Sequence, residues 1–389
     1  MKLNVLLDLA IMIFAGMFLG RMAKHVKLPN VTGYLVAGLL IGPSVLGLLS
    51  ADFLDTISVI SDVALGFIAF SIGNEFKLSY FKRVGAAPIV IACMESLMAV
   101  VFVDIALVAT GHSVPFSIVL GAVAAATAPA ATIMVIKQYK AKGPVTETLL
   151  SVVAIDDATA LILFSLSVAA AQAIGSGSTS SSALLSPLWE IGGALVAGAV
   201  LGFIFLIPMR FFKKPGNRLS LIVGFVFAGI GLADLAGFSS LLLCMAMGAI
   251  VANFTPDLNQ IMDLCDSVTP PIFMLFFVAS GADLKLSVLP TVGLVGVIYI
   301  VMRVAGKMCG AWLGGVMSKA PAKVQKFLGP ALLPQAGVAI GLSLAAGRVV
   351  PEFAPQIRAV ILCGTLIYEL IGPAVTKLSL KKAGEIVEV

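Results

Sequence analysis

Thirteen apolar runs separated by short basic loops decide the solvent in which this chain folds. By hydropathy they cover approximately 4–22, 30–48, 56–74, 86–109, 114–136, 145–173, 187–211, 218–236, 238–254, 268–282, 289–316, 327–347 and 355–378. A membrane-crossing helix needs roughly 20 mostly apolar residues to span a hydrocarbon core about 30 Å thick. Composition agrees: the chain is 60% hydrophobic and 12% charged, where soluble domains average roughly 45–50% and about 25%. Mean hydropathy is +1.09. The expected fold class is an all-α membrane protein with about 13 transmembrane helices.

The net charge of +5 is spread over short clusters between apolar runs, which argues for membrane topology and against a nucleic-acid surface. With the N-terminus outside, alternate loops hold Arg21, Lys24, Lys27; Lys77, Lys82, Arg83; Lys137, Lys140, Lys142; Arg210, Lys213, Lys214, Arg218; Lys319, Lys323, Lys326; and Lys377, Lys381, Lys382, nineteen of the twenty-five basic residues. Lys2, Lys285, Arg348 and Arg358 fall on the other side. The positive-inside rule then gives N-out and C-in, which suits an odd number of spans, in a cell inner membrane. No cleavable signal stands out after the first run, and the chain closes about ten residues beyond its last run. No fused soluble regulatory domain is therefore expected, and nothing calls for a cofactor.

The serine- and glycine-rich stretch 175–182 is the single low-complexity linker. On either side of it, Gly-Asn-Glu-Phe-Lys-Leu-Ser at 73–79 echoes Gly-Ala-Asp-Leu-Lys-Leu-Ser at 281–287, an offset of 281 − 73 = 208 residues. The same offset lays runs three to six on runs ten to thirteen. One transmembrane domain over 1–389 is expected, with repeat one at about 1–174, a linker span at about 187–211 and repeat two at about 212–380. Equivalent spans differ by seven, an odd number, so the two six-helix repeats are inverted. Many secondary transporters have this architecture, with discontinuous helices meeting near the midplane. Run five contains Thr127-Ala128-Pro129-Ala130 and run twelve contains Pro334-Gln335-Ala336-Gly337. Proline in a helix interior removes a hydrogen bond and clashes with the preceding turn. Unpaired backbone at membrane depth is tolerated only against protein or a water-filled cavity. Two crossing broken helices, centred on Pro129, Pro334 and Gly337, are expected to frame an ion site.

Asp156 and Asp157 lie about eleven residues into run six, roughly 16 Å deep at about 1.5 Å per residue. A carboxylate there costs at least about 2.5–3.5 kcal/mol, so the pair is the leading functional candidate. Neighbours on a helix point about 100° apart, so the two carboxylates should have different partners. Lys307, at similar depth in run eleven, is the expected partner of one of the two, with Arg303 one turn earlier as the competing candidate. The repeat offset relates Glu95 to Arg303 (95 + 208 = 303), and these two are read as a structural ion pair. His25 and His112 lie in loops with no second ligand at metal spacing.

These residues resemble the monovalent cation/proton antiporters of the bacterial two-aspartate type. The resemblance rests on Thr-Ala-Pro-Ala-Ala-Thr at 127–132, Lys-Gly-Pro-Val-Thr-Glu-Thr-Leu-Leu at 142–150, the Asp156-Asp157 pair, and Arg303 with Lys307 in Arg-Val-Ala-Gly-Lys. It implies that Asp157 binds a sodium-like cation or a proton in competition, that Asp156 pairs with Lys307, and that Thr127 brings a polar group to the site. Alternating access, a homodimer, and a core of spans four to six and eleven to thirteen also follow from the resemblance. Sodium is the favoured substrate, with potassium and lithium as alternatives, and no enzymatic activity is expected. A sodium-coupled organic-anion symporter of similar architecture is the alternative reading. An intramembrane aspartyl protease fits poorly, because adjacent aspartates on one helix cannot converge on one water.

Overall fold

The computed structural model describes residues 4–25, 30–79, 85–128, 132–133, 135–136, 139–175, 181–284 and 289–386. Among these the chain is helical throughout, with no strand. The helices are α1 (Val5–His25), α2 (Asn30–Ile41), the short α3 (Ala51–Thr56), α4 (Ser58–Glu75), α5 (Ala86–Ala109), α6 (Val114–Val123), α7 (Pro144–Gly175), α8 (Ser181–Phe211), α9 (Pro215–Ala236), α10 (Ser240–Phe254), α11 (Leu258–Ala282), α12 (Leu289–Met317), α13 (Ala322–Ala331), α14 (Gly337–Val349) and α15 (Ala354–Lys382). Eight of them, α1, α5, α7, α8, α9, α11, α12 and α15, are long and apolar enough to cross a bilayer. Shorter apolar helices, α2, α4, α6, α10 and α14, occupy the remaining apolar runs. Helix length alone therefore supports eight crossings, because some runs fold as short helices and two are interrupted.

Two of the runs are interrupted within the described residues. Run five is helical to Val123, leaves the helix through Ala128, and is helical again at Thr132, Ile133, Val135 and Ile136. Pro129 lies outside the described residues. Run twelve breaks between Ala331 and Gly337. The repeat offset carries Val114–Val123 onto Ala322–Ala331 (114 + 208 = 322, 123 + 208 = 331), the bounds of α13. The 208-residue offset thus relates the bounds of these two helices at both ends.

The chain divides into two compact units, each drawing on both halves of the sequence: one comprises residues 1–19, 34–80 and 176–283, the other 20–33, 81–175 and 284–389. The first unit packs α4 against α10 through Gly73 and Gly248, where an added Cβ would strike the backbone of Met245 and Phe70 respectively. Gly281 similarly faces the Leu35 backbone. Small residues of this kind let helices approach closely in lipid, where burial of apolar surface no longer drives association.

The second unit contains α5, α6, α7 and α12 to α15, the grouping of spans that the resemblance implied. Its tightest seam joins α12 to α5. Gly306, Gly310 and Gly314 repeat every fourth residue on one face of α12. A Cβ on Gly306 would come within 2.6 Å of Ala99 Cα, and one on Gly314 within 2.7 Å of Ile91 Cα. The seam carries Lys307, next to Gly306, up against α5. An apolar cluster that takes in Ile91 and Ala311 of this seam continues through Val145, Leu149, Val152, Leu328, Ala331 and Leu380, binding the start of α7 to α13 and the end of α15.

Candidate ion-exchange site

The site is built on the end of α6. The last carbonyls of a helix have no partner in their own helix. Here the chain first tightens, with Ala124, Ala125 and Ala126 donating to the carbonyls three residues back. The carbonyls of Val123 to Ala126 are then met by side chains from α12 and from the break in run twelve. Arg303 donates from Nε to Ala124 O at 3.0 Å and from Nη2 to Ala126 O at 2.8 Å. Lys307 Nζ donates to Ala125 O at 2.5 Å. Gln335 Nε2 donates to Val123 O at 3.1 Å. Two cations at a helix C-terminus also complement its dipole.

The two breaks meet at this point. The Ala128 amide donates to Pro334 O at 2.9 Å, and Arg303 Nη1 donates to Leu333 O at 2.8 Å. One guanidinium therefore bridges carbonyls of both interrupted runs, which uses the fixed fork of arginine donors. Its flat face lies 4.4 Å from the Tyr368 ring centroid. Tyr299, one turn before Arg303 on α12, hydrogen bonds Gln335 at 2.9 Å. Gly337, the third expected break position, is the first residue of α14.

Of the two aspartates, Asp156 faces the same junction. Asp156 is fully buried on α7; its Oδ2 lies 3.1 Å from Lys307 Nζ and its Oδ1 accepts from Ser96 Oγ at 2.5 Å. Thr127 Oγ1 accepts from Lys307 at 2.7 Å, which puts the threonine of the first break on the ion pair itself. Asp157, the next residue on α7, keeps 8% exposure against 0% for Asp156, so it is the more accessible of the two.

The expected Glu95–Arg303 pair is corrected by the structure. Glu95 Oε2 lies 2.7 Å from Lys307 Nζ, while the three guanidinium nitrogens go to backbone carbonyls. Positions related by an internal repeat are equivalent, not adjacent, and the glycine seam sets α12 so that Lys307 meets Glu95. Of the two candidates for Asp156, Lys307 makes the ion pair.

Ser96, Gln335 and Tyr299 were not singled out from sequence. Gln335 could have been, since it occupies the repeat position of Thr127 (127 + 208 = 335). Ser96 carried no signal beyond standing next to Glu95. Glu369, deep in α15 and without an expected partner, accepts a hydrogen bond from Thr32.

The profile of the family described as "Sodium/hydrogen exchanger, transmembrane" matches residues 9–382 of this chain. The chain is 26% identical over 360 residues to Cation/H(+) antiporter 20 of Arabidopsis thaliana, covering 84% of this chain and 42% of that protein. It therefore spans about two fifths of the length of that plant relative. It is also 26% identical over 382 residues to the ammonium/H(+) antiporter subunit AmhT of Alkalihalophilus pseudofirmus, covering 94% and 92% of the two chains. Among solved structures, the sodium proton antiporter MjNhaP1 from Methanocaldococcus jannaschii superposes with a TM-score of 0.80 at 22% identity, over 98% of this chain and 99% of that one. The fold is that of this antiporter structure.

Proposed function

Because the chain belongs to the sodium/hydrogen exchanger family, matched over residues 9–382, we propose that it is a secondary antiporter exchanging a monovalent cation for protons, with the two competing for Asp157. The observation that carries the reading is the Lys307–Asp156 ion pair, 3.1 Å long and fully buried, seated where the two interrupted helices join. Buried ionisable groups in membrane segments mark ion pathways by default, because their cost must be offset by function or pairing. A carboxylate can hold a proton or a metal cation but not both at one oxygen, so occupancy of Asp157 couples the two fluxes. Lys307 balances the charge of Asp156, and Arg303 with Gln335 holds the exposed carbonyls of the junction. Thr127 supplies a hydroxyl to the same ion pair.

All of these side chains belong to the second unit, and alternating access is assigned to movement of that unit as one body. The apolar runs and the 208-residue offset support thirteen crossings in two inverted repeats, about 1–174 and about 212–380, joined by a linker span at about 187–211. The basic loops support an outside N-terminus, a cytoplasmic C-terminus and residence in a cell inner membrane. A homodimer follows from the resemblance. Sodium is the favoured substrate; potassium, lithium and the ammonium named for one relative complete the panel. The relatives compared are antiporters by name, and the symporter reading finds no support among them.

The test is dissipation of a pH gradient in proteoliposomes of the purified chain on addition of each cation, beside Asp157→Asn. A cation that collapses the gradient with the unmodified chain, and not with the variant, identifies both site and substrate. A fully active variant, or no response to any of the four cations, overturns the reading.

A further inference from the structure

Lys307 has one more carboxylate than an ion pair with Asp156 requires. Its Nζ lies 2.7 Å from Glu95 Oε2 and 3.1 Å from Asp156 Oδ2, and all three side chains are fully buried. The carboxylates reach it from different helices, Glu95 from α5 and Asp156 from α7. The Glu95 contact is fixed by the α5–α12 glycine seam, where a Cβ on Gly310 would lie 2.5 Å from Glu95 Cα. That seam does not involve α7. Asp156 also has Ser96 Oγ at 2.5 Å, a hydroxyl that lies 3.3 Å from Glu95 Oε1 as well, so it is not left bare when the lysine turns away.

We propose that Glu95 is a standing counter-ion for Lys307, a positioning residue that keeps the ammonium paired and in place while an arriving cation takes over Asp156 and Asp157. The proposal rests on the exchange reading above. With Asp156 as its sole counter-ion, Lys307 would become an uncompensated buried charge each time a cation displaced it, and removing one member of a buried pair is strongly unfavourable. With Glu95 present the ammonium shifts its weight between two carboxylates and never stands alone. The extra negative charge also offsets the positive charge that the cation brings into a region of low dielectric. Glu95 thereby sets how readily the cation is admitted, without touching it.

Two measurements on the full chain test this. The first is a thermal-unfolding cycle in detergent with Glu95→Gln, Asp156→Asn and the double variant. Each single variant leaves Lys307 one carboxylate, and the double leaves none, so the drop in Tm for the double is expected to be at least twice the sum of the single drops. A double variant that cannot be purified when both singles can is the same result at its limit. An additive cycle overturns the proposal. The second is cation-driven exchange, where Glu95→Gln is expected to raise KM for the cation at least tenfold with kcat within threefold of the unmodified chain, and Glu95→Asp to recover part of the loss. A KM within twofold of the unmodified value in Glu95→Gln also overturns it, since a merely structural residue would lower the yield of folded protein and leave KM alone. Failure of the unmodified chain to exchange any cation sinks the antiport reading instead, while the thermal cycle still decides whether Glu95 holds Lys307.

Discussion

The Ala128 amide donates to the Pro334 carbonyl across 2.9 Å, joining the two interrupted helices backbone to backbone. A single hydrogen bond would not hold such a junction, and Arg303 reinforces it from the side. Its three nitrogens take Ala124 O, Ala126 O and Leu333 O at 2.8–3.0 Å inside a fully buried site. A lysine at this position has one ammonium and cannot span the three carbonyls. Each buried carbonyl left without a donor costs about 1–3 kcal/mol. Arg303→Lys is therefore expected to lose about 3 kcal/mol or more of stability and to unfold at a clearly lower temperature in detergent. A variant as stable as the unmodified chain would show that the guanidinium does not hold the junction.

Gln335 is the neutral counterpart of that arrangement. Its amide reaches Val123 O at 3.1 Å and the Tyr299 hydroxyl at 2.9 Å. Gln335→Leu keeps most of the volume and removes both bonds, so a loss of about 1–3 kcal/mol is expected. Tyr299→Phe removes one partner of the same bond. Because Gln335 and Tyr299 share that bond, the double variant should cost less than the sum of the singles, as residues in one network do. Additive losses in thermal unfolding would place the two side chains in separate networks.

Much of this site is legible in the sequence because membrane interiors make polar groups conspicuous. Asp156, Asp157, Lys307, Arg303 and Glu95 stand out as charges within apolar runs, and the prolines at 129 and 334 mark interruptions. What the pattern did not yield was who touches whom. Glu95 and Arg303 stand at the 208-residue offset, and such an offset does not specify contact. The spacing that decides the matter, Gly306, Gly310 and Gly314 on α12, is visible in the sequence but acts only once α5 is known to be its partner. The count of thirteen runs is legible too, yet α2, α4, α10 and the broken runs are too short for length to establish a crossing. Glu385 gave no signal at all, since its partners at Val145 and Thr146 lie 240 and 239 residues away along the chain.

The α5–α12 seam gives a steric prediction. A side chain at Gly306 would meet Ala99 Cα and Met98 O, both at 2.6 Å, and neither is a flexible side-chain end that could swing aside. Overpacking typically costs about 1–3 kcal/mol, and contact with backbone sits at or above the top of that range. Gly306→Val should separate the helices, draw Lys307 away from Glu95, and abolish exchange even in protein that still elutes as a folded species. Gly293→Val on the same helix has open space around its Cβ position and should be tolerated. Equal behaviour of the two variants in exchange assays would rule out the seam as the device that seats Lys307.

The helix that carries the two aspartates is held at its start by the far end of the chain. Glu385, only 5% exposed, accepts from the Val145 amide at 2.8 Å and from the Thr146 amide and hydroxyl at 2.7 Å. Its own carbonyl accepts from the Lys142 amide at 3.0 Å. The first amides of a helix lack partners in their own helix, and a negative charge there also meets the positive end of the dipole. Glu385 thus does for α7 what a capping side chain ordinarily does from the adjacent position. Gly143 leaves it room: with φ of +150° the residue has no Cβ, and one placed there would lie 2.5 Å from the Glu385 carboxyl carbon. Loss of a cap costs about 0.5–2 kcal/mol, and charged hydrogen bonds are about twice as strong as neutral ones. Glu385→Ala is expected to cost about 2 kcal/mol and to speed hydrogen exchange at Val145 and Thr146 more than elsewhere on α7. Glu385→Gln keeps an acceptor oxygen and should fall between it and the unmodified chain. A Gln variant as damaged as the Ala variant would assign the whole effect to charge, and unchanged exchange at both amides would remove Glu385 from the cap.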